Sequence, residues 1–156
     1  MSKGVLTVVS GFSGAGKGTV MRRLLEKYDD CVLSISVTTR KPREGEVDGR
    51  DYFFRTKEEV EAMIEADELL EYAQYVENYY GTPRAYVEEM LSRGKNVILE
   101  IEIQGAMKIK EKISDTVLVF VTPPTIRELK NRLVGRGTET QAVIESRLRR
   151  AAEEAE

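Results

Sequence analysis

The chain has no histidine and no tryptophan, and a single cysteine, Cys31. Without histidine there is no Ser–His triad, no imidazole general base and no histidine-rich zinc site. One cysteine excludes an internal disulfide and points to a reducing compartment. No apolar run approaches the roughly 20 residues that a membrane-spanning helix needs. The opening MSKGVLTVVSG is broken by Gly11 too early to be a signal peptide, so a cytoplasmic location is expected. A net charge of −3, from 24 basic and 27 acidic residues, argues against a general nucleic-acid or membrane-surface binder. The chemistry left is that of lysine, arginine, carboxylates and a hard cation with oxygen ligands. Phosphoryl transfer is of this kind, because it asks mainly for positioning and charge neutralisation.

What is present is 156 residues, 41% hydrophobic and 33% charged, enough for one domain with a real core. Three apolar runs, Val5–Val9, Val97–Ile101 and Val117–Val121, have the look of buried parallel strands. A fourth, CVLSISV, is partly alternating. Helix starts are legible between them. Thr56 with Glu59 and Thr125 with Glu128 have capping-box spacing, and Thr82-Pro83 reads as an N-cap followed by a first-turn proline. In TIRELKNRLV the residues Ile126, Leu129 and Leu133 make one apolar face, leaving Arg132 elsewhere on the cylinder. Alternating strands and helices of these lengths predict an α/β fold with a mostly parallel sheet. From Thr38 to Tyr80 the chain is instead rich in Arg, Gly, Glu and Tyr, with the short alternating segments DYFF and LLEYAQYV. That stretch is expected to be a small β-containing insertion, a common place for specificity.

The stretch GFSGAGKGT carries the most chemistry. Its spacing G-x-x-x-x-G-K runs from Gly11 to Lys17, between a strand and a helix expected to begin near Gly18. Glycines let successive backbone N–H groups turn inward around an anion, and the helix start points its positive end at the same place. Lys17 can then bridge the outer phosphates. The residue after the lysine is Gly18, so the hydroxyl that would meet magnesium is displaced to Thr19. The core is therefore expected to be a P-loop NTPase core.

Three further groups are weaker alone. Arg40 and Arg43 stand around Pro42, and two guanidinium forks so placed can clamp a phosphate, with Tyr52 and Tyr80 adding phenolic donors; the bland alternative is a pair of solvated loop arginines. Glu100 and Glu102, two apart in VILEIEIQG, should leave a strand on one face near its carboxyl end, where ligands of open α/β sheets gather. Their alternatives are a magnesium or ligand role and a salt bridge to a neighbouring lysine. Arg136 lies between Gly135 and Gly137, flanked by Arg132 and Arg147, a placement suited to an arginine-bearing lid over phosphates or simply to an exposed helix pair.

Taken together, SGFSGAGKGT, SVTTRKPREGE, GRDYFF, LLEYAQY, NYYGTP, LEIEIQGA and RLVGRGTET resemble the guanylate kinase family, in that family's order and across essentially the whole chain. The resemblance implies transfer of the ATP γ-phosphoryl group to GMP with Mg²⁺. It implies an ATP-binding loop of Gly11, Phe12, Ser13, Gly14, Ala15, Gly16, Lys17, Gly18 and Thr19. It assigns Arg40, Arg43, Tyr52 and Tyr80 to the GMP phosphate, and Ser36, Glu71, Thr82 and Glu102 to the guanine. Lys17, Arg132, Arg136 and Arg147 would be catalytic, while Glu100, through water, and Thr19 would meet the magnesium. The expected layout is a core over about 1–37 and 83–156, a GMP-binding insertion over about 38–82, and a lid over about 132–147.

This sequence departs from the family pattern in three respects. Phe12 stands where proline is usual, and Glu replaces the commoner Asp at 100 and 102. The chain also stops at LRRAAEEAE, inside an expected helix, where family members usually continue through a further strand and helix. Readings from other classes are an impaired truncated fragment, a phosphopeptide-binding module of the same fold, and a kinase for AMP or a pyrimidine. The intact Lys17 loop speaks against the module, and Glu71 with Tyr80 and Thr82 speaks for guanine. Small-molecule partners only are expected, and nothing in the sequence specifies an oligomeric state.

Overall fold

A computed structural model of the chain describes residues 3–135, 137 and 140–154. The three apolar runs become parallel strands, but the expected burial holds only for the first two, since Val117–Phe120 of the third lie exposed at the sheet edge. β1 (Leu6–Gly11) lies between β7 (Asn96–Glu100) and β8 (Val117–Val121), and β2 (Cys31–Leu33) flanks β7, giving the order β2-β7-β1-β8. Alternation along the pleat decides which core each residue enters. Leu6 and Val8 of β1, with Val97 and Leu99 of β7, pack against Val87 and Leu91 of α3 (Arg84–Ser92) and Ala106 and Ile109 of α4 (Ile103–Lys112). Val9 and Ile98 face the other way, onto Met21 of α1 (Lys17–Lys27). The pairing Val9↔Glu100 brings the carboxyl ends of β1 and β7 to one edge. The loop after β1 and the carboxylate ending β7 therefore meet there.

The Arg- and Tyr-rich middle forms a second, mixed sheet of order β4-β3-β6-β5, made of β3 (Val37–Thr38), β4 (Phe53–Phe54), β5 (Leu69–Tyr75) and β6 (Asn78–Pro83). The run CVLSISV thus splits between two sheets, Cys31–Leu33 in the first and Val37 in the second. α2 (Lys57–Glu65) covers the small sheet through Val60, and its start carries the full capping box of Thr56 and Glu59. Consecutive residues stitch the sheets together. Leu69 enters the core under α2, whereas Leu70 enters the main core under α3 and α4.

Two local expectations are corrected. Thr82-Pro83 does not cap α3 as N-cap and first turn: both residues belong to β6, Pro83 is the N-cap, and the Thr82 hydroxyl is spent elsewhere. Ile126 is 70% exposed, while Leu129 and Leu133 of α5 (Ile126–Gly135) are buried against Ile144 and Ala151 of α6 (Gln141–Glu154). The first turn of α5 overhangs the helix pair, so its apolar face starts one turn late. Among the described residues no helix is long and apolar enough to cross a membrane.

Candidate active site

The loop from Gly11 to Gly16 turns on glycines with positive φ: 145° at Gly11, 89° at Gly14 and 101° at Gly16. Gly11 has a second reason to be glycine. A Cβ there would lie 2.1 Å from the Val121 carbonyl oxygen of β8. Gly16 N-caps α1, which begins at Lys17, one residue before the expected start. The loop's backbone N–H groups and the positive helix end consequently converge. The Lys17 ammonium donates to the carbonyls of Gly11, at 2.7 Å, and Phe12, at 3.1 Å, which holds its charge over the loop. Ser13, Gly14, Gly16, Lys17, Gly18 and Thr19 line one small cavity of about 330 Å³ together with Glu100 and Arg22.

Across the cleft the small sheet carries a polar network. Arg40 makes a two-pronged contact with Glu46, Nη1 to Oε2 and Nη2 to Oε1, each 2.9 Å. Its guanidinium lies 5.3 Å from the Tyr52 ring centroid and also contacts Tyr80. Tyr52 and Tyr80 stand edge to face at 6.2 Å. Glu46 further accepts from the Arg43 backbone N–H at 2.7 Å, and these bonds hold its carboxyl down at about 2. Arg40 is already oriented by Glu46, and the Arg43 backbone joins that network. Ser36 lies just before β3, its carbonyl accepting from Phe53 N–H at 2.9 Å.

Glu71 is the buried charge of the region, with 9% of its surface exposed. Thr82 Oγ1 donates to its Oε1 at 2.7 Å. Burial pushes its carboxyl above the ordinary range, against the pull of the Thr82 hydroxyl and the Lys108 charge; Glu102 adds to the push. On its other side the carboxylate meets Gly105 of α4, where a Cβ would come within 3.2 Å of Oε2. A side chain there would push the carboxylate back by a few tenths of an ångström.

Glu100 and Glu102 do not share a strand face as the two-residue spacing predicts. β7 ends at Glu100, and Glu102 is already the N-cap of α4. They nevertheless line one cavity of about 550 Å³ with Lys17, Tyr75, Arg147 and Arg150. The helix pair reaches the loop from above. Arg132 of α5 donates to the Ala15 carbonyl at 3.0 Å and is paired with Glu128, and Arg147 of α6 donates to Ser13 Oγ at 2.6 Å. Arg136 lies outside the described residues. A larger cavity of about 620 Å³, lined by Phe12, Phe120, Pro123 and Leu148, is mainly apolar and includes none of these charged groups.

Comparison with known proteins gives this geometry its context. The family model for guanylate kinase matches residues 3–156. The chain belongs to the guanylate kinase family. Members of that family are nucleoside-monophosphate kinases that transfer a phosphoryl group from ATP to GMP. The guanylate kinase of Enterococcus faecalis is 57% identical over 155 residues, covering 99% of this chain and 76% of that protein. That of Clostridioides difficile is 58% identical over 154 residues, covering 99% and 75%. A crystal structure of guanylate kinase from Anaplasma phagocytophilum superposes with a TM-score of 0.70 at 35% identity, covering 99% of this chain and 72% of the other.

Within this guanylate kinase fold, one cleft gathers the loop, Glu100, Glu102, Arg132 and Arg147, and the small sheet gathers Arg40, Tyr52, Tyr80, Glu71 and Thr82. Sequence reasoning missed Glu46, Gly105, Arg22 and Arg150. Glu46 left a signal, since it stands three residues beyond Arg43 in the same turn. Arg150 left none, because its partner is 48 residues away in sequence and is found only by folding the chain.

Proposed function

We propose that this chain converts GMP to GDP with ATP, using two separate phosphate sites in a core of about 1–37 and 83–156, an insertion of about 38–82 and a lid of about 132–147. Gly11–Thr19 holds the ATP phosphates through backbone N–H groups, with Lys17 on the outer ones. Arg40, Arg43, Tyr52 and Tyr80 hold the GMP phosphate. Ser36, Glu71, Thr82 and Glu102 read the base. Arg132 and Arg147, with Arg136, neutralise the charge that spreads over the moving phosphoryl group.

The observation that carries the reading is Glu71, a buried carboxylate whose Oε1 is bonded to Thr82 and whose Oε2 faces Gly105. Guanine presents N1–H and a 2-amino group as donors, which adenine lacks at those positions, and a carboxylate accepts from both. Leaving such an acceptor unpaired costs a wrong substrate a factor of roughly 10⁴.

Magnesium fits the donors present. Glu100 and Thr19 offer hard oxygens in the cavity with Lys17, and no group of three His, Cys, Asp or Glu side chains forms a cluster among the described residues. An ion held mainly by substrate phosphates and water suits that set, with Glu100 acting through water. Bound there, Mg²⁺ neutralises charge on the ATP phosphates. Closure of the insertion and the lid onto the core when both nucleotides are bound would shut out water and suppress ATP hydrolysis. A cytoplasmic location accords with these substrates.

The test is ADP formation from ATP and magnesium with GMP, AMP, CMP and UMP supplied separately. Turnover with GMP alone is expected. Equal use of AMP would overturn the role of Glu71, and GMP binding without turnover would leave a binding module.

A further inference from the structure

Glu102 ends the link between β7 and α4, yet the cation bound to it comes from neither. Arg150 Nη2 of α6 meets Glu102 Oε2 at 2.7 Å. Arg150 follows Arg147 by three residues, so the two lie on neighbouring positions of one helix surface. Arg147 donates to Ser13 Oγ in the ATP-side loop. One stripe of α6 therefore touches both halves of the cleft, and both arginines line the cavity that holds Lys17, Glu100 and Glu102.

Glu102 has need of such a partner. Its side chain is 64% exposed and its carboxylate stands at the end of a flexible stem, one methylene longer than an aspartate's. A solvated carboxylate of this kind loses rotamer freedom when it engages a ligand. A guanidinium on one oxygen removes part of that cost in advance and leaves the lone pairs of the other oxygen for a donor on the base. We propose that Arg150 is a positioning residue that orients the Glu102 carboxylate for the guanine and thereby ties the lid helix to the base site. This rests on the reading of Glu102 as a base acceptor.

The experiment is steady-state kinetics on the full chain with Arg150→Met, Arg150→Lys, Glu102→Gln and the double variant Arg150→Met/Glu102→Gln. Arg150→Met raises the KM for GMP about threefold to fivefold, the size an ion pair at this exposure supports, while KM for ATP and kcat stay within about twofold. Arg150→Lys recovers part of the loss, and the double variant is no worse for GMP than Glu102→Gln alone. A lost packing contact would instead lower thermal stability without separating the two substrates. An unchanged or lowered KM for GMP in Arg150→Met, with a raised KM in Glu102→Gln, would overturn the positioning role and keep the base reading. An unchanged KM in Glu102→Gln would remove the base reading itself, and the proposal with it.

Discussion

The loop Gly11–Thr19 is nine consecutive residues acting through backbone geometry, whereas the opposite pocket is assembled from side chains scattered between Ser36 and Glu102. On the loop side the decisive facts are three positive φ angles and a helix that starts at Lys17. On the pocket side they are side-chain pairs, Arg40 with Glu46 and Glu71 with Thr82. On the proposed assignment, an anion common to all nucleotides would be met by groups common to all residues, and a base that must be told from its rivals by groups that only particular side chains carry.

That contrast predicts separable failures. The largest is Lys17→Met, which should lower kcat by at least about 10³-fold, because a charge aimed at the transferring phosphate is lost. Next is Glu71→Gln. One acceptor becomes a donor facing a donor, so KM for GMP should rise roughly tenfold to a hundredfold while KM for ATP holds. Equal weakening of both nucleotides would erase the contrast.

The same variant has a stability signature. Burial holds the Glu71 carboxyl above its ordinary value, so the folded chain keeps that proton more tightly than the unfolded chain. The stability this contributes is full below the unfolded value and is lost as pH rises through the folded one. As pH rises, the charged form that burial disfavours costs the ligand-free fold more stability. Glu71→Gln should therefore raise the Tm of the ligand-free protein, and by more at pH 8 than at pH 4. A Tm advantage that shrank as pH rose would contradict the sign.

Smaller effects sharpen the boundary. Glu46→Gln removes the charge that orients Arg40 and should raise KM for GMP about threefold to fivefold, with no change for ATP. Thr56→Ala deletes the α2 cap and should lower stability by about 1 kcal/mol in denaturant titration, leaving both KM values alone. A change in KM from that cap would mean that the covering helix takes part in binding.

How much could be read in advance follows the same division. The strands at 6–11, 96–100 and 117–121, the G-x-x-x-x-G-K loop and the Thr56 cap depend on neighbours within a few residues, and the chain shows them directly. Thr82 reads as a helix cap because its partner is 11 residues away across a hairpin whose register the sequence does not display. The spacing of Glu100 and Glu102 predicts a shared strand because an apolar run does not announce that it ends at Glu100. Ile126 reads as part of the apolar face of α5 because the helix that covers this face is set by tertiary packing. Local chemistry is written locally, and discrimination is written in the fold.

The most direct test is a calorimetric titration of GMP into Lys17→Met. Separate phosphate sites predict GMP affinity within about twofold of the unsubstituted protein although turnover is gone. Loss of GMP binding in that variant would mean that the loop and the pocket form one site, and the contrast between them would fall.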